Sequence, residues 1–449
     1  MHPRARRADV TEVLQPGVFS HGQPRGFRLS SISMTDSSNG FEYLESRTSR
    51  PCGIQDGDTI PRIPQDIVDE ILDHLAADSD VRYLRACALI SKSWTPSCQR
   101  HLFYTALFTW RDAHRWLETF PVPGQSPAHH VRDLRIQIQG PNCVPEAFFE
   151  HIPWFTNAER VTLLGQEGKS PPFRKPTLWR LPPSTTSLTI DTGQVALMEI
   201  RNIMAHLPSL DDLSLSGVLV PLHKVELLGI GKALGGRFGG KLALRAACYE
   251  NIDIINMLLE VPTGLRFTEV EIRCLCECFP SAVKLVEACG KTLVKLSHAI
   301  VFDCKSKPMN KASTLTRLLD VVGFKTFEQS FDFSKFPNLQ EVDFGFTVGW
   351  MKRGLFWIPL ALSTLGPATS PYLSAIRLNF ASSLIFNPDV ESLIKDEGSD
   401  LLRVADEVSR IKSEFNGVVR LTVVSDPMFR AVLDTLNVRS YLYGADDTV

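Results

Sequence analysis

The sequence predicts an α/β protein in which a small three-helix module is followed by an irregular solenoid of strand–helix units. Two observations lead to this prediction. Near the amino end, large apolar residues recur at helical spacing behind a proline. From residue 131 onward, short apolar–polar–apolar segments recur at a period of roughly 26 residues, with helical patterns between them. A unit of this kind buries its apolar face only by stacking against its neighbours.

The chain of 449 residues divides by composition into four segments. Residues 1–58 contain many Ser, Gly, Pro and Arg and few periodic apolar positions, which predicts a disordered tail. The segments that follow are the helical module (59–108), a connector (109–130) and the repeat domain (131–445). Within the connector, Trp110, Trp116 and Leu117 are expected to pack against the rest of the chain.

The first helix of the module is expected to begin at Pro64, because the fixed backbone angle and missing N–H of proline cost nothing there. Asp66, Asp69 and Glu70 place negative charge near the positive end of this helix. One apolar stripe is expected along it, made of Ile67, Ile71, Leu72 and Leu75. The expected caps are Asp78, Ser79 or Asp80 for the second helix and Ser91 or Ser93 for the third.

A module of about fifty residues cannot bury so many large apolar groups alone, so a partner or the rest of the chain is expected to cover some of them. The order of residues resembles the F-box, the adaptor-binding module of cullin–RING ubiquitin ligases. The matching positions are Ile63-Pro64, Ile67, Glu70-Ile71-Leu72, Leu75, Cys87, Leu89, Trp94 and Leu102-Phe103. The family more often has Leu at the first position, and the match covers about a tenth of the chain. The alternative is an ordinary three-helix packing unit.

The resemblance implies a function as the substrate-receptor subunit of an SCF-type ubiquitin ligase. The module would dock on a Skp-type adaptor, and through it on cullin, while the repeat domain holds a target protein that the sequence does not identify. The implied first-helix contacts are Ile63, Pro64, Ile67, Ile71, Leu72 and Leu75, with Cys87, Leu89 and Trp94 as contact or core. Such a subunit is not itself an enzyme. The alternative function is a protein-interaction scaffold that does not engage a ligase.

Ten segments of the repeat domain have alternating apolar and polar residues, which predicts strands. They are 131–138, 161–163, 188–190, 210–215, 242–244, 270–272, 293–296, 339–344, 373–378 and 419–423. Helical patterns lie between them, at 195–207 with Asp191 or Thr192 as a cap, at 254–259 and at 401–411. A strand-plus-helix unit at this period resembles a leucine-rich repeat. The Asn or Cys ladder of that repeat is mostly absent, so the resemblance is to the degenerate repeats of F-box proteins, particularly the large fungal set.

Two clusters invite a chemical interpretation. Val270, Ile272, Cys274, Cys276 and Cys278 alternate with residues of which all but Leu275 are charged. This pattern favours a half-buried strand over a zinc site with its paired spacing. The glycines between Gly229 and Gly240 match neither the Walker nor the dinucleotide order, which favours a loop over a nucleotide site. A basic contact point for a partner there stays open. We therefore expect no metal and no cofactor.

The remaining composition limits the function classes. A net charge of −2 argues against a nucleic-acid groove, and the histidines form no catalytic triad pattern. No apolar run reaches the length of a membrane span, and no apolar segment follows the basic start, so no secretory signal is predicted. The ten cysteines are then expected to be reduced thiols in the cytoplasm or the nucleus.

Overall fold

The fold is described from a computed structural model of the chain. The described residues are 63–77, 81–138, 140, 142–165, 181–191, 194–216, 218–220, 231, 234–246, 251–274, 278–301, 332–348, 355, 357–382, 390–438 and 442. The predicted disordered tail, 1–58, and the predicted cap at 78–80 lie outside them. The expected α/β class is confirmed, since helices accompany a large parallel sheet.

The described strands form one sheet of eleven and one pair. Their bounds are β1 Thr105–Phe108, β2 Asp133–Gln137, β3 Arg160–Leu164, β4 Ser187–Asp191, β5 Gln194–Ala196, β6 Asp212–Leu215, β7 Val218–Val220, β8 Lys241–Leu244, β9 Glu269–Cys274, β10 Lys295–Val301, β11 Glu341–Val348, β12 Ala375–Ser382 and β13 Arg420–Ser425. The large sheet runs β1-β2-β3-β4-β6-β8-β9-β10-β11-β12-β13, while β5 pairs with β7. Every described pairing is parallel, and the order within the large sheet follows the chain.

All ten strands predicted from the sequence are present in the sheet. β1, β5 and β7 were not predicted. β1 pairs with β2 in register from Thr105 to Phe108, so the sheet begins inside the range assigned to the helical module rather than at residue 131. The predicted cap at Asp191 is wrong, because Asp191 ends β4 and β5 precedes the helix. The alternative cap, Thr192, lies outside the described residues.

A repeated backbone contact links the starts of the strands. The carbonyl of Tyr104 accepts hydrogen bonds from the N–H groups of Arg132 and Asp133, at 2.9 and 3.0 Å. The carbonyl of Arg132 accepts the same pair of bonds from Glu159 and Arg160 at the next strand. Because the contact recurs along the sheet, neighbouring strands keep the same register.

Most strands of the sheet alternate between buried and more exposed side chains, with exceptions such as Ala243 in β8 and Asp133 in β2, which are buried on the other face. On one face, residues that pair in register form rows across the sheet. The first buried row consists of Ala106, Leu134, Val161, Leu188, Leu213, Leu242, Val270, Leu296, Val342 and Ile376. The other face carries charged partners across neighbouring strands. Lys295 Nζ lies 2.6 Å from Glu341 Oε2, and Lys241 Nζ lies 3.5 Å from Glu271 Oε2.

The described α-helices are α1 Gln65–Ala77, α2 Val81–Ile90, α3 Thr95–Leu102, α4 Trp110–Thr119, α5 Leu197–Ala205, α6 Asn251–Leu259, α7 Phe279–Ala288, α8 Trp357–Ser363, α9 Val390–Glu414 and α10 Pro427–Thr435. α4 to α10 contribute to one large core that also contains the buried face of the sheet. α1 to α3 surround a second, separate core of buried residues. The three helices predicted for the module are therefore present, with a core of their own.

Candidate functional site

The small core of α1, α2 and α3 determines which side of the module faces outward. Val68 and Leu72 of α1, Leu84 of α2 and Cys98 of α3 are buried together. Partly buried residues pack around them, including Leu75, Cys87, Trp94 and Leu102. Val68 and Leu72 stand one turn apart, so their shared side of α1 faces inward.

A second apolar row begins just before α1, continues along it beside the buried row, and is exposed. Ile63, Ile67 and Ile71 are spaced by four residues and are 52%, 44% and 42% exposed. We call these three residues the α1 ridge. Leu89 and Ile90, at the end of α2, are 89% and 67% exposed. Large apolar side chains gathered on one small module usually mark an interface with another molecule.

The predicted contact residues therefore separate into two groups. Ile63, Pro64, Ile67, Ile71 and Leu89 are exposed. Leu72 is fully buried in the small core, so its assignment as a first-helix contact is corrected to a packing role.

Leu75, Cys87 and Trp94 are partly buried against the same core. The single stripe expected from the sequence is thus two neighbouring rows, of which one packs and one is exposed. The sequence analysis missed Val68 in the first row and Ile90 beside the second.

Polar contacts fix the orientation of α1 on α3. Ser97 Oγ donates a hydrogen bond of 2.6 Å to Asp69 Oδ1, and Gln65 Nε2 donates one of 2.9 Å to the same oxygen. These bonds stabilise the ionised carboxylate and lower the pKa of Asp69. One turn later, Asp73 Oδ1 lies 2.8 Å from His101 Nε2. The contacts join the side of α1 away from its ridge to α3.

The helix starts in the module differ in part from the predicted ones. The carbonyl of Pro64 accepts the first bond of α1, from the N–H of Val68 at 3.2 Å, as expected of a proline at a helix start. The predicted caps of α3 are wrong, because Trp94 stands at the cap position and no side chain caps it. Ser91 and Ser93 instead bond to each other at 2.8 Å in the preceding turn.

The connector, 109–130, contains two tryptophans that were expected to pack, and only one of them does. Trp116 of α4 is buried against Phe108 and Phe155, with ring centroids 5.2 and 5.5 Å away. Trp110 was expected to pack but is 52% exposed. Trp110 and Trp116 are six residues apart, so their side chains are roughly 240° apart around the helix axis. The two rings therefore lie on different sides of α4.

The cysteine cluster and the glycine cluster noted in the sequence contain residues with structural roles, where the structure describes them. Val270, Ile272 and Cys274 are buried on alternate positions of β9, as predicted. The predicted strand is wrong at Cys278, which is buried at the N-cap of α7, because β9 ends at Cys274. Cys276 lies outside the described residues. Among the described residues, no group of three or more His, Cys, Asp or Glu side chains is placed to hold a metal ion.

Gly240 leads into β8 where a Cβ atom would collide with Asp212 Oδ1. That oxygen accepts the N–H of Lys241 at 2.6 Å. Gly240 therefore permits a close approach of two strands.

Within the part of the chain that the structure describes, no helix combines the length and apolarity needed to cross a membrane. No protein-family model matches the chain, and no curated protein matches it. The α1 ridge is the candidate site that the geometry favours, because it is an exposed apolar surface on a module with its own core.

Proposed function

We propose that this protein is a substrate-receptor subunit of an SCF-type cullin–RING ubiquitin ligase. In this proposal residues 59–108 are an F-box that docks on a Skp-type adaptor through the α1 ridge and the end of α2. The repeat domain is a degenerate leucine-rich-repeat solenoid that holds a target protein. The cytoplasm and the nucleus are the proposed locations, because these ligases act there.

The observation that carries the proposal is the exposure of the α1 ridge. The module buries Val68 and Leu72 in its own core, so the ridge is not needed to hold the three helices together. Ile67 and Ile71, in the row beside the buried one, are exposed. Burying such side chains against a partner is favourable by roughly 1.5–3 kcal/mol for each fully buried residue. An apolar adaptor surface would supply that burial.

The arrangement of the sheet supports the second half of the proposal. Strand order follows the chain, all described pairings are parallel, and buried rows run across the sheet in register. Stacked strand–helix units build such a sheet one neighbour at a time. The polar face then offers a broad surface for a target. The contribution of this subunit to ubiquitin transfer would be positioning, which raises the local concentration of the target near the transferring enzyme.

A pull-down with a Skp-type adaptor tests the proposal. We compare the full chain with the double variant Ile67→Asp/Ile71→Asp. We expect adaptor recovery to fall at least tenfold, because each aspartate would place a charge in an apolar contact. The milder pair Ile67→Ala/Ile71→Ala should also reduce recovery.

The matched control is Tyr372→Asp/Val418→Asp, which changes two exposed apolar residues far along the chain, 62% and 75% exposed. This control should bind like the unchanged chain, and circular dichroism should show that all variants remain folded. Equal adaptor recovery by all chains would refute the ligase proposal. It would favour the alternative of an interaction scaffold outside a ligase.

A further inference from the structure

The first half of α4 presents an aromatic and cationic face that has no role in the fold or in the proposed function. Trp110, Arg111, His114 and Arg115 lie within an arc of roughly 140° on this helix. The opposite side of α4 buries Ala113 and Trp116 in the large core. We call these four residues the α4 face. An exposed tryptophan is more informative than an exposed small apolar residue, because most of its large surface is usually buried.

Trp110 is held in a fixed position although it is exposed. Its backbone N–H donates a hydrogen bond of 2.8 Å to the carbonyl of Asn142. Its ring lies 4.4 Å from the ring of His114, centroid to centroid, at an angle of 66°. Packing of Trp116 against Phe108 and Phe155 anchors the helix beneath it. A partner that contacts Trp110 therefore meets a surface that is already ordered, which lowers the entropic cost of binding.

The charges of the α4 face are not neutralised by the described part of the chain. Among the described residues, no carboxylate forms an ion pair with Arg111, His114 or Arg115. The nearby carboxylate of Asp112 accepts a hydrogen bond of 2.6 Å from Thr109 Oγ1. Glu118 is exposed on the next turn and pairs with neither arginine.

The position of these cations adds to the local potential. Arg111 stands in the first turn of α4, where the positive end of the helix dipole repels rather than attracts a cation. Asp112 and Glu118 balance the formal charge of α4, but within the described part of the chain neither forms an ion pair with Arg111 or Arg115. Both guanidinium groups therefore remain available to an acidic group of a partner.

We propose that the α4 face docks an acidic segment of another protein, with an apolar side chain of that segment packed on Trp110. Arg111 and Arg115 would bind its carboxylates, because guanidinium groups form paired hydrogen bonds with them. Trp and Arg together are the residues most enriched where binding energy concentrates in protein interfaces. The proposal does not depend on the adaptor-binding function, since it uses different residues on a different helix.

A nucleic acid is the competing anionic partner, and the observations favour it less. The face offers two arginines and one histidine, whereas phosphate-tracking surfaces use many cations along a groove. The net charge of the whole chain is −2, which gives no broad attraction for a polyanion. A short acidic peptide matches the small size of the cationic area.

Fluorescence anisotropy with the full chain tests the proposal. The probe is a fluorescein-labelled peptide of four glutamates, one phenylalanine and four glutamates. We expect saturable binding that weakens when salt is raised from about 50 to about 300 mM, because screening reduces the ionic contacts. Trp110→Ala and Arg111→Ala/Arg115→Ala should each weaken binding about tenfold, in the range of interface hot spots.

Three controls make the result specific. The double variant Arg420→Ala/Arg430→Ala removes two exposed arginines at the other end of the sheet and should bind like the unchanged chain. Ile67→Asp/Ile71→Asp should also keep its affinity for the peptide, which separates this proposal from adaptor docking. A peptide with lysines in place of the glutamates should not bind.

Absence of saturable binding would overturn the proposal. Equal weakening by the control arginine variant would also overturn it, because the attraction would then be general. A third outcome is that a single-stranded oligonucleotide binds more tightly than the peptide and loses that binding in the same α4 variants. This result would assign the α4 face to nucleic acid and overturn the proposal of an acidic protein segment.

Discussion

Replacement of His298 tests how far the core of the sheet governs stability against acid. His298 lies in a buried row between Ile272 and Phe344 of the neighbouring strands and is fully buried. Its ring centroid lies 5.4 Å from that of Phe279 and 5.5 Å from that of Trp357. Burial lowers the pKa of this imidazole from its ordinary value of 6.5 to about 3. The folded protein therefore keeps His298 neutral at pH values where the unfolded chain protonates it.

The sign and size of the effect follow from this difference in pKa. Between pH 6.5 and about 3 the unfolded chain binds one more proton than the folded chain at this position. The contribution of His298 to stability is present above pH 6.5 and is lost as the pH falls toward about 3. The loss is about 1.4 kcal/mol for each pH unit, so about 2 kcal/mol is lost between pH 6.5 and about pH 5.

Urea unfolding followed by circular dichroism measures this loss, with the free energy of unfolding extrapolated to water. The substitution is His298→Leu, which has similar volume and no titratable group. Between pH 7.5 and about pH 5, the unchanged chain should lose about 2 kcal/mol more stability than the variant. The control Ile272→Val should cost about 0.5–1.5 kcal/mol at every pH, since it removes only a methylene from the same row. Parallel pH profiles for the unchanged chain and His298→Leu would refute the reasoning.

Two further predictions concern burial. Leu72→Ala should destabilise the module by about 2–4 kcal/mol, whereas Ile71→Ala on the exposed ridge should cost less than about 1 kcal/mol. Hydrogen exchange of the amides in α1–α3 measures both losses of stability. Equal losses would contradict the assignment of one row to packing and the other to the surface. Burial also raises the pKa of the Cys289 thiol to about 12, so iodoacetamide at neutral pH should alkylate the half-buried Cys87 and Cys143 well before Cys289 in the folded chain. Mass spectrometry of the labelled chain decides this, and equally fast labelling of Cys289 would contradict its described environment.

The sequence predicted ten strands because alternating apolar residues at a regular period leave little ambiguity. It missed β1 because Thr105–Phe108 is only four residues long and directly follows a helical segment. β5 and β7 are three residues each, which is too short for a period to be recognised. The pairing of β1 with β2 depends on contacts that only the folded chain brings together.

The sequence could predict where along the chain the candidate site lies, but not which row of side chains is exposed. Ile63, Ile67 and Ile71 form one row at helical spacing, and Val68 with Leu72 forms a second row beside it. Both rows satisfy the period of a helix, so the pattern alone does not show which row packs. Leu84 and Cys98, from the next two helices, pack against Val68 and Leu72 and so determine which row is buried.

The lengths of the connections between neighbouring strands vary widely, yet the sheet stays in register. Asp133 and Arg160 are partners 27 residues apart in sequence, whereas Lys295 and Glu341 are partners 46 residues apart. Closing the longer loop costs only about 0.5 kcal/mol more, because the entropy of closure grows with the logarithm of length. A lineage of such chains can therefore acquire or lose whole segments between strands at small thermodynamic cost. New recognition surfaces can evolve there while the inherited framework remains unchanged.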